Sequence, residues 1–189
     1  MLVAQSIVLI LWWMALSTWF GGVLFVAVAA PIIFRTVRES DPVLPTVLSV
    51  NLEGQHGTLL AGSIVANLLS VLVKVELACA AVMAVALIAL WVTTPGRWLE
   101  HLIRTALFIG AVALVLYYRY RVEPQIVRHR QQYIDNADQP DIANPAKEQF
   151  DRYHHESVTV LMITLALLLG LVLFSAGLAP TQTIFLRPS

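Results

Sequence analysis

Five polar residues of one apolar segment, His56, Ser63, Asn67, Ser70 and Lys74, are spaced by 7, 4, 3 and 4. On a helix those spacings place all five on one face. In hydrocarbon such a stripe has to face a neighbouring helix or a water-filled cavity, because lipid cannot satisfy it. The chemistry it suits is a binding-pocket wall or an ion path, with Lys74 as the charge. The stripe fits interhelical hydrogen bonding somewhat better, with Lys74 reaching out to the membrane interface.

A second cluster is Phe150-Asp151-Arg152-Tyr153-His154-His155-Glu156-Ser157. On a helix Asp151 reaches His154 and His155, and Ser157 lies one turn above His154. Metal ligation by Asp151, His154 and His155 is one reading. Against it, neighbouring histidines on a helix point about 100° apart, and no second group with ligand spacing accompanies them. A capping or interfacial hydrogen-bond role for His154 and Ser157 fits the spacing better. Haem needs an axial His or Met inside a bundle. His56, His101, His129, His154 and His155 all fall near the ends of apolar segments, which confines haem to the charged end of the molecule. The chain carries no Gly-rich phosphate loop, HExxH or GxSxG motif, so enzymatic activity has no motif to rest on.

The elements that would position these residues follow from composition. Of 189 residues, 58% are hydrophobic and 13% charged, against about 45–50% and about 25% in soluble domains. Mean hydropathy is +0.75. These values exclude a disordered chain and a water-soluble enzyme. Twelve basic residues balance twelve acidic ones, which leaves no overall basic footprint for nucleic acid. The single cysteine, Cys79, excludes an intramolecular disulfide and reads as a small buried apolar residue.

Residues 1–34 contain no Asp, Glu, Lys or Arg. They lack the basic start and short apolar core of a cleaved signal, so they read as a retained membrane helix. A span needs about 20 apolar residues, and the sequence predicts four: about 3–34, 57–93, 98–122 and 150–178. The second stays unbroken through Lys74 and Glu76, because the neighbouring residues include no turn former. The fold class expected is all-α, a four-helix transmembrane bundle in one domain. Small residues four apart, such as Thr18/Gly22, Gly62/Ala66, Ala106/Gly110 and Ala166/Gly170, favour close helix packing.

One side of these spans holds Arg35, Arg38, Arg119, Arg121, Arg128, Arg130, Lys147 and Arg152, and the other Arg97, Arg104 and Arg187. The positive-inside rule places the first side in the cytoplasm and both termini outside, in the inner membrane if the source is bacterial. Trp91 and Lys74 are 17 residues apart, about 26 Å of helix and close to one membrane thickness. Helices near 50 Å long should therefore project into the cytoplasm, with 119–152 forming a helical hairpin. Asn144-Pro145 reads as the start of its second helix, after a turn over 136–144, and Glu148 and Arg152 as an i,i+4 pair. An amphipathic segment is expected over 42–53, capped by Asp41-Pro42.

Several short motifs occur in one order along the chain: Trp19-Phe20-Gly21-Gly22 with Pro31-Ile32-Ile33-Phe34, Ala61-Gly62-Ser63-Ile64, Glu123-Pro124, and Phe150-x-Arg152-Tyr153-His154-x-x-Ser157. In these the chain resembles the transmembrane-protein-205-like family, a domain of unknown function, over most of its length. The resemblance implies a four-span membrane protein without an established biochemical activity. That family is itself distantly similar to copper-resistance D-type membrane proteins and to a haem-binding porphyrinogen oxidase. Those relatives use a histidine in the first span, where this chain has none. The matching positions are Glu123, Pro124, His154 and Ser157, and the resemblance assigns them no mechanism.

The leading expectation is a non-enzymatic integral membrane protein with a polar cytoplasmic-side pocket for a small ligand or partner. Its lining would be Ser63, Asn67, Ser70, Lys74, Glu123, His154 and Ser157. The alternatives are a haem- or metal-binding redox protein and a scaffold or oligomerising transport component. The lipid bilayer is the expected partner, a homo-oligomer is compatible with the chain, and nucleic acid is not.

Overall fold

A computed structural model describes residues 2–43 and 55–178. Helix α1 is Leu2–Glu39 and α2 is His56–Thr93. After a 3-10 turn at Pro95–Arg97, α3 (Trp98–Tyr117) runs through a π-helical turn, Tyr118–Val122, into α4 (Glu123–Asp135). Helix α5, Pro140–Ser175, ends in a 3-10 turn at Ala176–Leu178. No strand occurs among the described residues. The result is an all-α bundle of four rods, since Trp98–Asp135 acts as one, and each rod is long and apolar enough to cross a membrane.

The rods alternate in direction. One end of the bundle therefore gathers the start of α1, the 94–97 turn and the end of α5; we call it the terminal end. The hairpin end gathers the close of α1, the start of α2 and the turn between α4 and α5. A rod of 38 residues is about 57 Å long, nearly twice the roughly 30 Å of bilayer hydrocarbon. At the hairpin end Arg35, Arg38, Arg119, Arg121 and Arg128 are exposed.

Two cores hold the rods together. In the main one, Trp12, Leu16, Trp19 and Val23 of α1 are fully buried at helical spacing. They pack among Leu72, Met83 and Leu87 of α2, Phe108 and Ala111 of α3, and Leu168 and Leu171 of α5. Outside this core the surface is just as apolar: Phe25, Val85, Ile88, Ile109, Leu169 and Leu173 are all exposed. A water-soluble protein does not present such a surface; a multi-pass membrane protein must. The second core lies at the hairpin end, where Leu59, Tyr133, Ala137, Ala143 and Ala146 are buried together. There Tyr133 Oη donates to Gln55 Oε1 at 2.7 Å.

The long second span is continuous past Lys74 and Glu76, as the sequence predicts. Of the small-residue positions, Gly22, Gly110 and Gly170 lie at helix contacts; a Cβ on Gly22 would stand 3.0 Å from Leu72 Cδ1, whereas one on Gly21 or Gly62 would meet nothing.

The hairpin corrects two expectations. Helix α5 starts at Pro140 rather than at Asn144-Pro145, and the turn shrinks to 136–139. Pro140 occupies the first helical turn, where its missing N–H removes no bond, and Asp141 complements the helix N-terminus. Pro145 then falls early in α5, where the carbonyl it leaves without a donor belongs to exposed Asp141. The ion pair on this helix is Lys147 with Asp151, at 2.7 Å, one position before the expected Glu148 and Arg152. Asp41 follows α1 in a left-handed conformation with φ 44°, its N–H bonded to the Arg38 carbonyl. The rest of the amphipathic segment, beyond Val43, lies outside the described residues.

Candidate functional site

At the hairpin end a cavity of about 230 Å³ opens between all four rods. Helix α2 lines it with Leu59, Gly62, Val65, Ala66 and Leu69, a repeat of three and four that keeps one face toward it. Helix α5 contributes Phe150, Asp151, His154 and Ser157 with the same periodicity, and Phe34 of α1 closes one side. The fourth wall is Tyr118 with Glu123, Ile126, Val127 and Arg130.

The π-helical turn sets that fourth wall. Buried positions along α3 step 101, 104, 108, 111 and 115. Val122 is buried in turn, and the cavity-lining and buried positions that follow are 126, 130 and 133. Within the turn the Glu123 N–H reaches back to the Tyr118 carbonyl, an i→i+5 bond. Arg130 rather than His129 lines the cavity. His129 instead stacks on Tyr153 with ring centroids 5.8 Å apart. Such π-bulges occur frequently at functional sites.

Charge in the cavity is unevenly satisfied. Glu123 is paired with Arg119 at 3.0 Å and Asp151 with Lys147 at 2.7 Å, each on its own rod. Among the described residues half-buried Arg130 bonds only neutral oxygens: its Nη2 donates to the Leu59 carbonyl at 2.8 Å and to Ser63 Oγ at 2.5 Å. The two carboxylates thus have cations of their own, and one guanidinium in a largely apolar cavity has no counter-ion among the described residues. Half-buried His154 stacks on Phe150, with centroids 6.1 Å apart, while Ser157 Oγ donates to the His154 carbonyl at 2.7 Å.

Of the seven residues expected to form one pocket, Glu123, His154 and Ser157 line this cavity, and Ser63 joins it through Arg130. Asn67 and Lys74 are exposed, and Ser70 is half-buried away from the cavity. The stripe is displaced by one residue, about 100° of rotation, from the face that α2 turns inward. His155 is exposed, its ring centroid 6.3 Å from that of His154, and Asp151 is committed to Lys147. Among the described residues, no group of three or more His, Cys, Asp or Glu is placed to hold a metal ion.

Two further features belong to no sequence motif. Glu76 is buried at 4% exposure, and its Oε1 accepts from Trp19 Nε1 at 3.1 Å. It lines a second cavity, of about 60 Å³, together with Tyr118, Ser157 and Thr164. Its presence as the one acidic residue between Gly57 and Thr93 is the signal that would have found it. At the terminal end, Arg104 and His101 are fully buried. Arg104 donates to Glu100 at 2.7 Å, to the Phe174 carbonyl at 2.9 Å and to His101 Nδ1 at 3.3 Å. Accepting at Nδ1 leaves His101 Nε2–H to donate to the Thr94 carbonyl at 3.1 Å. Arg97 adds a bond to the Gly177 carbonyl at 2.6 Å. These arginines satisfy carbonyls at the end of α5 and in the 3-10 turn after it, and staple them to the 94–97 turn.

No family model, curated protein or solved structure matches the chain, so its own geometry carries the functional reading.

Proposed function

We propose that this multi-pass membrane protein binds a small amphiphile with an acidic head and an apolar body in the hairpin-end cavity, on the cytoplasmic side of the membrane. The observation that carries this reading is Arg130: among the described residues its guanidinium bonds only neutral oxygens, in a cavity whose carboxylates already have partners. Withdrawing a charge from water without a counter-ion costs several kcal/mol, and an acidic ligand head offsets it. The apolar walls, among them Leu59, Val65, Leu69, Ile126 and Phe150, suit an alkyl or ring body. The excess of Lys and Arg at this end supports the cytoplasmic assignment. The resemblance to the transmembrane-protein-205-like family is compatible with this role and supplies no part of it.

The test is equilibrium dialysis of radiolabelled decanoate against the protein in lipid nanodiscs. Binding above that of empty nanodiscs is expected. Arg130→Gln should weaken it at least about tenfold, or about 1.4 kcal/mol, and decanol should compete poorly. Equal binding by wild type and Arg130→Gln, or none at all, contradicts the reading.

A further inference from the structure

We propose that Glu76 is a proton-binding site inside the bundle, reached by water from the hairpin end through the two cavities. Both cavities are lined by Val65, Leu69, Tyr118 and Ser157, so they adjoin across one shared wall. The inner one, at about 60 Å³, exceeds the roughly 10–15 Å³ that a water needs. Hydroxyls of Tyr118, Ser157 and Thr164 stand along it. Each oxygen retains a lone pair for water, including those of Ser157 and Thr164, which donate to backbone carbonyls.

Glu76 has the surroundings of a proton acceptor rather than of an ion-pair partner. Its hydrogen-bond donor is the neutral Trp19 indole, and no Lys, Arg or His pairs with it among the described residues. The titratable groups facing it are Tyr118 from the π-helical turn and Cys79 one turn along α2, both neutral near pH 7. Helix α1 presents Trp19, and α5 presents Ser157 and Thr164. A metal cation would need several oxygen ligands, which one carboxyl does not supply. A proton needs one. The step is the making and breaking of a single O–H bond: the carboxylate takes a proton from a cavity water, which recovers it from bulk water at the hairpin end.

Access is one-sided. Toward the terminal end Trp12, Leu16, Met83, Leu90, Leu168 and Leu171 are all fully or nearly fully buried, and the arginine staple lies beyond them. The proposal uses the hairpin-end cavity only as a water entrance and holds whether or not an acidic amphiphile binds there.

The test is infrared difference spectroscopy of the full-length protein in nanodiscs, following the C=O stretch of protonated carboxyl groups. A band that grows as pH falls, shifts in deuterated buffer and is missing from Glu76→Gln is expected. The amide of that variant keeps an acceptor for Trp19. Ser157→Leu, which fills the shared wall, should slow the deuterium shift at least tenfold without removing the band. A full band in Glu76→Gln, a band indifferent to pH, or exchange in Ser157→Leu at the wild-type rate overturns the proposal. The Ser157→Leu arm leaves Glu76 untouched, so it decides the matter even where Glu76→Gln folds poorly.

Discussion

Arg104 and Arg97 look alike in a count of loop charges, yet they do different work. Arg104 is fully buried and makes bonds to Glu100, His101 and the Phe174 carbonyl. Replacing it with Ala leaves His101 Nδ1 and the Phe174 carbonyl without this donor inside the bundle, a loss on the order of 1–3 kcal/mol for each. Arg97 and Glu100 are more than a third exposed, at 37% and 38%, where an ion pair is worth about 1 kcal/mol or less. Thermal unfolding in detergent should therefore show a large drop for Arg104→Ala and a small one for Arg97→Ala. Equal drops would mean that burial does not set the strength of this staple. Arg130 shows the same limit of linear reading. Its basic character is plain in the sequence, but its partners Leu59 and Ser63 lie 71 and 67 residues away. Nothing local announces that its hydrogen bonds end on neutral oxygens.

At the scale of elements, the apolar runs made the four rods legible, because hydrocarbon demands one long apolar segment per crossing. What stayed hidden was rotation about the helix axes. Asn67 and Lys74 share a face with Ser63, yet α2 turns the neighbouring face inward, and no composition rule distinguishes the two. The π-helical turn is equally silent, since Tyr118-Arg119-Tyr120-Arg121-Val122 contains neither Gly nor Pro to mark it. Inserting one further residue just after Val122 should rotate α4 by about 100°. Arg130 would then leave Leu59 and Ser63, so decanoate binding should be lost while membrane insertion persists; unchanged binding would separate the turn from the site. Packing between rods gives a second check. A Cβ at Gly22 meets Leu72 at 3.0 Å, whereas Gly21 faces open space. Gly22→Val should destabilise the α1–α2 contact by about 1–3 kcal/mol, and Gly21→Ala should leave the unfolding temperature nearly unchanged. Two similar shifts would contradict this packing.

For the whole molecule, the ruling fact is the mismatch between rods of about 57 Å and a hydrocarbon layer of about 30 Å. In the proposed arrangement the surplus forms a small water-exposed bundle at the basic end, and the cavity lies where the two environments meet. If the basic end is cytoplasmic, a cysteine placed at Asp138 in a Cys79→Ala background should resist membrane-impermeant maleimide in intact cells and react after lysis. One at Gly96 should react in both; the reverse pattern would invert the proposed orientation. The most direct test of the central claim is photolabelling with a diazirine-bearing decanoate analogue in nanodiscs, followed by peptide mapping. The proposed site predicts labels on the cavity faces of α2 and α5, around Leu59 to Leu69 and Phe150 to Ser157, suppressed by excess decanoate and by Arg130→Gln. Labels confined to lipid-facing positions such as Val85 and Ile88, unaffected by either, would contradict it.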